Sequence, residues 1–275
     1  MFMNPELARS YLYVPGNRPD RFDKACAAGA DAVIIDLEDA VPPAEKDSAR
    51  AALASWLSPD KAVLVRVNAA GSEWFERDLA ACELAGVTGV ILPKAETIAD
   101  GVVALCRRKG LPLYPLIETA AGMARAEAVA AAACVQRLMF GTIDFQVELG
   151  IDGDGDELLA FRSRLVLASK LAGIQPPVDG PCTSWEDTDR LLADSRRARS
   201  LGFGAKLCIH PRQVAHVNAA FAPTAEEIVW ARRVVAAAAE SKGAAVALDG
   251  RMIDRPVILK AEQIVREAAL RTNKI

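Results

Sequence analysis

The sequence predicts an α/β chain folded as a TIM (β/α)8 barrel with a C-terminal helical extension, and three observations carry that expectation. Short apolar, β-branched runs alternate with longer amphipathic segments, the pattern of repeated β/α units. About eight such units fit in the 275 residues, a length within the range of one α/β barrel. Residues that carry chemistry collect at the ends of the apolar runs, where a barrel gathers its loops into one rim. A doubly wound open sheet is the alternative that the same alternation allows.

The strands are read, in order, at 10–14 (SYLYV), 32–36 (AVIID), 62–67 (AVLVRV), 89–93 (GVILP), 113–118 (LYPLIE), 137–141 (RLMFG), 176–180 (PPVDG, the weakest) and 206–210 (KLCIH). Each suits a strand buried on both faces, as a parallel sheet requires. Between them, PPAEKDSARAALASWL opens with prolines and an early glutamate, both helix-start signals. WEDTDRLLADSRRARSLG closes with basic residues and a glycine, a helix-stop signal. After the eighth strand, TAEEIVWARRVVAAAAESKG reads as a helix, and AAVALDGRMIDRPVILKAEQIVREAALR as a short hairpin or loop and a second helix. The expected organisation is a catalytic barrel over residues 1–222 and a helical arm or lid over 223–275.

Composition narrows the function classes. Charged residues make up 25% of the chain and the hydrophobic set 52%, as in an ordinary folded core. A net charge of −3 argues against a nucleic-acid binder. Six cysteines (Cys26, Cys82, Cys106, Cys134, Cys182, Cys208) include no CxxC pair, which argues against a zinc ribbon or a dense disulfide framework. Reduced, mostly buried thiols and a cytoplasmic location are expected. MFMNPELARS lacks the apolar core of a signal peptide, and the alanine-rich EAVAAAACV is too short to span a bilayer and reads as helix.

The strand ends carry PGNRPDR, DLED, Arg66 with Asn68, PKAE, Glu118 before TAAG, GTID with Asp144, and His210. Taken singly, each has a structural reading; Asp144, for instance, opens a helix and suits an N-cap. Together, Asp36, Glu38, Asp39, Glu118 and Asp144 would converge on one rim, where side-by-side acids repel or take up protons. A divalent cation resolves this, and an all-oxygen donor set points to a hard ion, Mg²⁺ before Ca²⁺ or Mn²⁺. IDGDGDE imitates the start of an EF-hand loop, but Glu157 stands where the glycine is required and Ser163 where the bidentate glutamate is, so a solvated loop is expected. GFGAK matches no nucleotide-binding motif.

The motifs RSYLYVPGNRPDRFDKA, DAVIIDLEDAV, VRVN, LPKAE, LIETAAG, FGTIDFQVELG, GFGAKLCIHPRQV and GRMIDRP, in this order and over nearly the whole chain, resemble the citrate lyase β-subunit/malyl-CoA lyase (CitE-like, HpcH/HpaI aldolase) family. The resemblance implies a lyase that cleaves or forms a C–C bond in a β-hydroxyacyl-CoA thioester such as citramalyl-, malyl- or citryl-CoA. The products are acetyl-CoA, or a related thioester, and an α-keto acid. It implies Mg²⁺ ligated by Glu118 and Asp144, with Glu118 also at the substrate, and substrate bound by Arg66. It sets Asp36, Glu38 and Asp39 behind the metal's waters, with Asp39 alternatively capping its turn. It makes Asp254 the catalytic acid, brought by a neighbouring subunit's lid in a homotrimer or hexamer.

Within that reading Arg66 suits the enolate oxygen, because a guanidinium stays charged and offers a planar fork; a salt bridge to Asp36 or Glu38 is its structural alternative. Asp254 serves as the base at the thioester α-carbon, or as the N-cap of RPVILKAEQ. Arg18, Arg21 and Lys24, at the start of the first helix, suit the phosphates of coenzyme A, or a solvated helix face. Backbone N–H groups around Gly141 and Thr142 suit a keto-acid carboxylate by the same helix-start logic. His210 is expected to orient backbone or pack, and His216 to lie at the surface. Action on an acyl-carrier-protein thioester as the β-subunit of a citrate lyase complex, and a CoA-independent keto-acid aldolase, stay open beside the leading expectation.

Overall fold

The computed structural model describes residues 8–240, 246–248 and 251–272. The chain divides after Phe221 into two units. In the first, eight parallel strands close into a barrel: β1 (Ser10–Pro15), β2 (Ala32–Asp36), β3 (Val63–Arg66), β4 (Val87–Leu92), β5 (Leu113–Ile117), β6 (Arg137–Phe140), β7 (Gln175–Asp179) and β8 (Ala205–Cys208). Pairing of β1 with both β2 and β8 excludes the open sheet. The interleaved helices are α1 (Phe22–Cys26), α2 (Lys46–Trp56), α3 (Phe75–Ala81), α4 (Asp100–Lys109), α5 (Ala120–Ala124), α6 (Ala126–Ala130), α7 (Thr142–Leu149), α8 (Leu159–Leu171), α9 (Thr188–Leu201) and α10 (Pro211–Ala220).

Two-residue periodicity splits the core into two layers. Val33, Ile35, Val63, Val65, Leu138 and Phe140 face outward and pack with helix residues such as Leu53, Leu79 and Leu165. Tyr11, Ile34, Leu64, Ile91, Tyr114, Leu116, Met139, Val178, Ala205 and Leu207 fill the inside. Arg137, at the start of β6, plugs the interior, donating to the Ala8 carbonyl at 2.8 Å, the Tyr11 hydroxyl at 3.2 Å and the Pro176 carbonyl.

The predicted boundaries need local correction. The prolines of PPAEK form a tight turn (Pro43–Glu45), so α2 starts only at Lys46. The helix after β1 is five residues long and follows a similar turn at Pro19–Arg21. His210 is not the end of β8 but the N-cap of α10. Helix α9 stops at Gly202, whose φ of 101° is cheap only for glycine.

The second unit holds α11 (Ala225–Glu240), the antiparallel pair β9 (Val246–Leu248) and β10 (Arg251–Ile253), and α12 (Arg255–Thr272). Ala231, Val234, Ile253, Ala261 and Ile264 form its own small core.

Candidate active site

Strand parity builds the site. Residues on the inward register at the C-terminal ends of β2 and β3 are Asp36 and Arg66, which sit side by side in the ladder. Continuing the inward register of Tyr114 and Leu116 by two residues places Glu118. All three line a cavity of about 450 Å³, with Asp39, Asp144 and an apolar wall that includes Leu116, Ile143, Leu207 and Ile209.

Arg66 is clamped before any substrate arrives. Its Nε and Nη2 donate to the two oxygens of Asp36 at 2.7 and 2.6 Å, a bidentate fork. Its Nη1 pairs with Glu38 Oε2 at 3.0 Å, and its guanidinium lies 4.8 Å from the Tyr13 ring. Burial opposes the arginine's charge, but the Asp36 carboxylate outweighs it and holds the pKa well above the usual value.

Asp36 has a second task. Its oxygens accept the backbone N–H groups of Glu38 (2.9 Å) and Ala40 (3.1 Å), so Asp36, not Asp39, caps this turn. The Asp39 side chain is half exposed, 3.9 Å from Arg66 Nη1 and 3.8 Å from Lys94 Nζ. Below the turn, the buried Lys46 ammonium donates to the carbonyls of Leu37 and Glu38, both at 2.7 Å. Asn68 Nδ2 donates to the Leu37 carbonyl and to buried Asp78. Sequence reading assigned nothing to Lys46 or Asp78, because their roles depend on carbonyls that only the folded turn presents.

Lys94 was also missed, although PKAE was noted at its strand end. It adopts φ 48°, an uncommon conformation for a residue with a side chain. Its backbone N–H donates to Glu118 Oε1 at 2.8 Å, while its ammonium bonds Glu38 Oε1. Burial raises the Glu38 pKa to about 6, against the pull of Arg66 and Lys94.

Glu118 is 1% exposed, and its Oε2 has no hydrogen-bond partner among the described residues. Burial, and then the charge of Glu38, raise its pKa to about 8. Gly141 makes its position possible, since a β-carbon there would lie 2.5 Å from Glu118 Oε2. Asp144 is the third residue of α7, not its cap, and its exposed carboxylate has no hydrogen bond or ion pair among the described residues. Its charge contributes to the raised pKa of Glu118.

A hard divalent cation fits this donor set. The described residues contain no cluster of three metal-ligating side chains. Mg²⁺, however, commonly takes only one or two protein carboxylates and keeps its waters. The orphaned, buried Oε2 of Glu118 beside the unpaired Asp144 is the arrangement a cation relieves.

Other expected positions divide. The Gly141 N–H is spent on the Ile117 carbonyl at 2.9 Å, so it offers no donor to a carboxylate. The available donors belong to the first turn of α7, Thr142 onward. Arg18 pairs with Asp20 at 2.9 Å, and Arg21 and Lys24 are exposed. Asp254 opens α12 in the second unit, and its Oδ1 accepts the Val257 N–H at 3.4 Å. His210 is a cap: Nδ1 accepts the Arg212 N–H at 3.2 Å, and its ring stacks on Trp185. His216 is partly exposed, lining a small open cavity with Trp185 and Arg212. The loop of IDGDGDE is not simply solvated, because Asp154 accepts from Arg162 at 2.6 Å.

Comparison with known proteins identifies the family and the fold. The family model for HpcH/HpaI aldolase/citrate lyase matches residues 9–211. A citrate lyase subunit beta-like protein of Mycobacterium tuberculosis is 39% identical over 272 residues, covering 96% of this chain and 97% of its own. A (3S)-malyl-CoA thioesterase of Cereibacter sphaeroides is 36% identical over 270 residues, 94% of each chain. The crystal structure of CitE from Mycobacterium tuberculosis in complex with magnesium, acetoacetate and coenzyme A superposes with a TM-score of 0.84. That pair shares 37% identity and covers 96% of this chain and 99% of that one.

Proposed function

The chain belongs to the HpcH/HpaI aldolase/citrate lyase family, and from that premise we propose that it is a Mg²⁺-dependent carbon–carbon lyase. Its substrate is a β-hydroxyacyl-CoA thioester, cleaved to, or formed from, acetyl-CoA and an α-keto acid. The observation that carries this reading is the pairing, in one cavity, of a clamped arginine with an orphaned Glu118 oxygen beside the unpaired Asp144.

Glu118 and Asp144 would hold the magnesium ion, one from a strand end and one from the first turn of α7. The bound ion supplies a Lewis acid and a template for the oxygens of an α-keto or α-hydroxy carboxylate. Arg66, fixed by Asp36, offers charge to the oxygen that becomes negative as the C–C bond breaks, without reorganising during the reaction. Glu38 and Lys94 hold Arg66 and Glu118 in register. The first-turn N–H groups of α7, from Thr142 on, suit the keto-acid carboxylate. Asp254 serves as the base that takes or returns the proton at the thioester α-carbon, supplied by the second unit of a neighbouring copy in a homotrimer or hexamer. Arg18, Arg21 and Lys24 suit the phosphates of coenzyme A.

The test is to incubate the protein with Mg²⁺, acetyl-CoA and glyoxylate or pyruvate, and to resolve the thioesters by chromatography. A hydroxyacyl-CoA product is expected. No turnover of any four- to six-carbon hydroxyacyl-CoA, in either direction, would overturn the reading. Similarity to a (3S)-malyl-CoA thioesterase favours hydrolysis as a second reading; it is recognised by free CoA and a free hydroxy acid. Similarity to a citrate lyase subunit beta-like protein favours the narrower alternative of a carrier-protein thioester. That alternative predicts an isolated chain that is inactive on CoA thioesters.

A further inference from the structure

The chain has three tyrosines, all on the inward register at one side of the barrel or the other. The Tyr11 hydroxyl accepts from Arg137 at 3.2 Å, and the Tyr114 hydroxyl meets Gln136 Oε1 at 3.5 Å. The Tyr13 hydroxyl alone is buried with no partner among the described residues. A buried hydroxyl without a partner destabilises the fold, and a ligand acceptor that reaches it would remove that cost.

The surroundings of Tyr13 name the ligand chemistry. Its side chain lines the same cavity as Arg66, Glu118 and Asp144. The Arg66 guanidinium lies over its ring at 4.8 Å, which fixes the ring's tilt. The carboxylates nearest in chain and register are already engaged: Asp36 accepts from Arg66 and two backbone amides, and Glu38 accepts from Lys94. The hydroxyl therefore has no acceptor among the described residues, and the side chain that carries it lines the cavity shared by the clamped arginine and the orphaned Glu118. A phenol is protonated at neutral pH and donates one O–H.

We infer that Tyr13 is a substrate-positioning residue, its hydroxyl donating a hydrogen bond to an anionic oxygen of the keto acid held between Arg66 and Glu118. The inference rests on the keto-acid reading above and adds a neutral donor to its machinery. A site built around such a donor discriminates against analogues that lack the acceptor oxygen, because the buried hydroxyl is then left unpaired.

Tyr13→Phe deletes the one atom concerned. Ligand-free melting temperature is compared first, then Mg²⁺ and, in its presence, pyruvate or acetoacetate are titrated calorimetrically. The variant should melt no lower than the wild type, bind Mg²⁺ alone within about twofold, and bind the keto acid about tenfold more weakly. Equal keto-acid affinity overturns the inference alone. So does a lower ligand-free melting temperature, which would mean that the hydroxyl was satisfied within the fold, or a loss confined to Mg²⁺ binding. A wild type that binds no keto acid overturns the parent reading, and this inference falls with it.

Discussion

Glu118 is the residue on which the barrel mouth turns, because the fold buries its carboxylate and leaves one oxygen unanswered. Its folded pKa of about 8 lies above the ordinary carboxylate value, so between about pH 4.5 and 8 the folded protein holds a proton that the unfolded chain has lost. Stability of the ligand-free protein should therefore fall as pH rises through that window. Glu118→Gln should flatten the slope and melt higher than the wild type at pH 8, measured by thermal denaturation in a chelator. Parallel slopes in the two proteins would show that the carboxylate is already ionised. Glu38 is different, because Arg66 and Lys94 both face it. Glu38→Gln should weaken Mg²⁺ binding and turnover by about 10- to 100-fold, as for groups that orient a ligand from behind. Glu118→Gln should lower both by at least tenfold more, and the reverse ranking in a metal titration would exchange the two roles.

At the level of elements, the strands were legible because residues buried on both faces leave uninterrupted apolar runs, as in AVIID and LYPLI. The inward placement of Asp36 and Arg66 followed from parity alone once the strand ends were known. What sequence could not carry was geometry that depends on a backbone turn. Asp36 rather than Asp39 caps DLED, the Gly141 amide belongs to the ladder with β5, and Lys94 delivers its N–H to Glu118 from φ 48°. Tyr13 looked like one more apolar strand residue, since nothing local reveals a hydroxyl without a partner. Two element-scale predictions follow from the packing. Gly141→Ala would drive a β-carbon into Glu118, costing roughly 1–3 kcal/mol of stability from overpacking. Because the displaced side chain is the proposed ligand, Mg²⁺ affinity should fall with it, and calorimetry showing unchanged affinity would refute this coupling of β6 to β5. Between β7, β8 and α8, buried Asp179 accepts from Arg162 at 2.8 Å and Lys206 at 2.6 Å. Asp179→Ala strands two buried cations and should cost roughly 3–5 kcal/mol in urea denaturation.

For the whole molecule, the open question is where the proton at the thioester α-carbon goes. The residues proposed to bind Mg²⁺ and keto acid all lie in the first unit, whereas Asp254 lies in the second, at the start of α12. An acid that acts from a neighbouring copy makes each site a composite of two chains, as closed symmetric oligomers permit. Arg66→Ala and Asp254→Ala should each be inactive as homogeneous proteins. Co-expressed with different affinity tags, they form mixed oligomers in which some sites combine an intact Arg66 from one chain with an intact Asp254 from the next. With equal amounts and random assembly, about a quarter of all sites are restored; the doubly tagged fraction excludes homogeneous oligomers, so roughly a third of wild-type activity should return there for a trimer and roughly a quarter for a hexamer. A site that uses its own Asp254 predicts no recovery, because every chain then carries a defect. Doubly tagged oligomers that stay as inactive as their parents would place the base within the same chain, or on another residue.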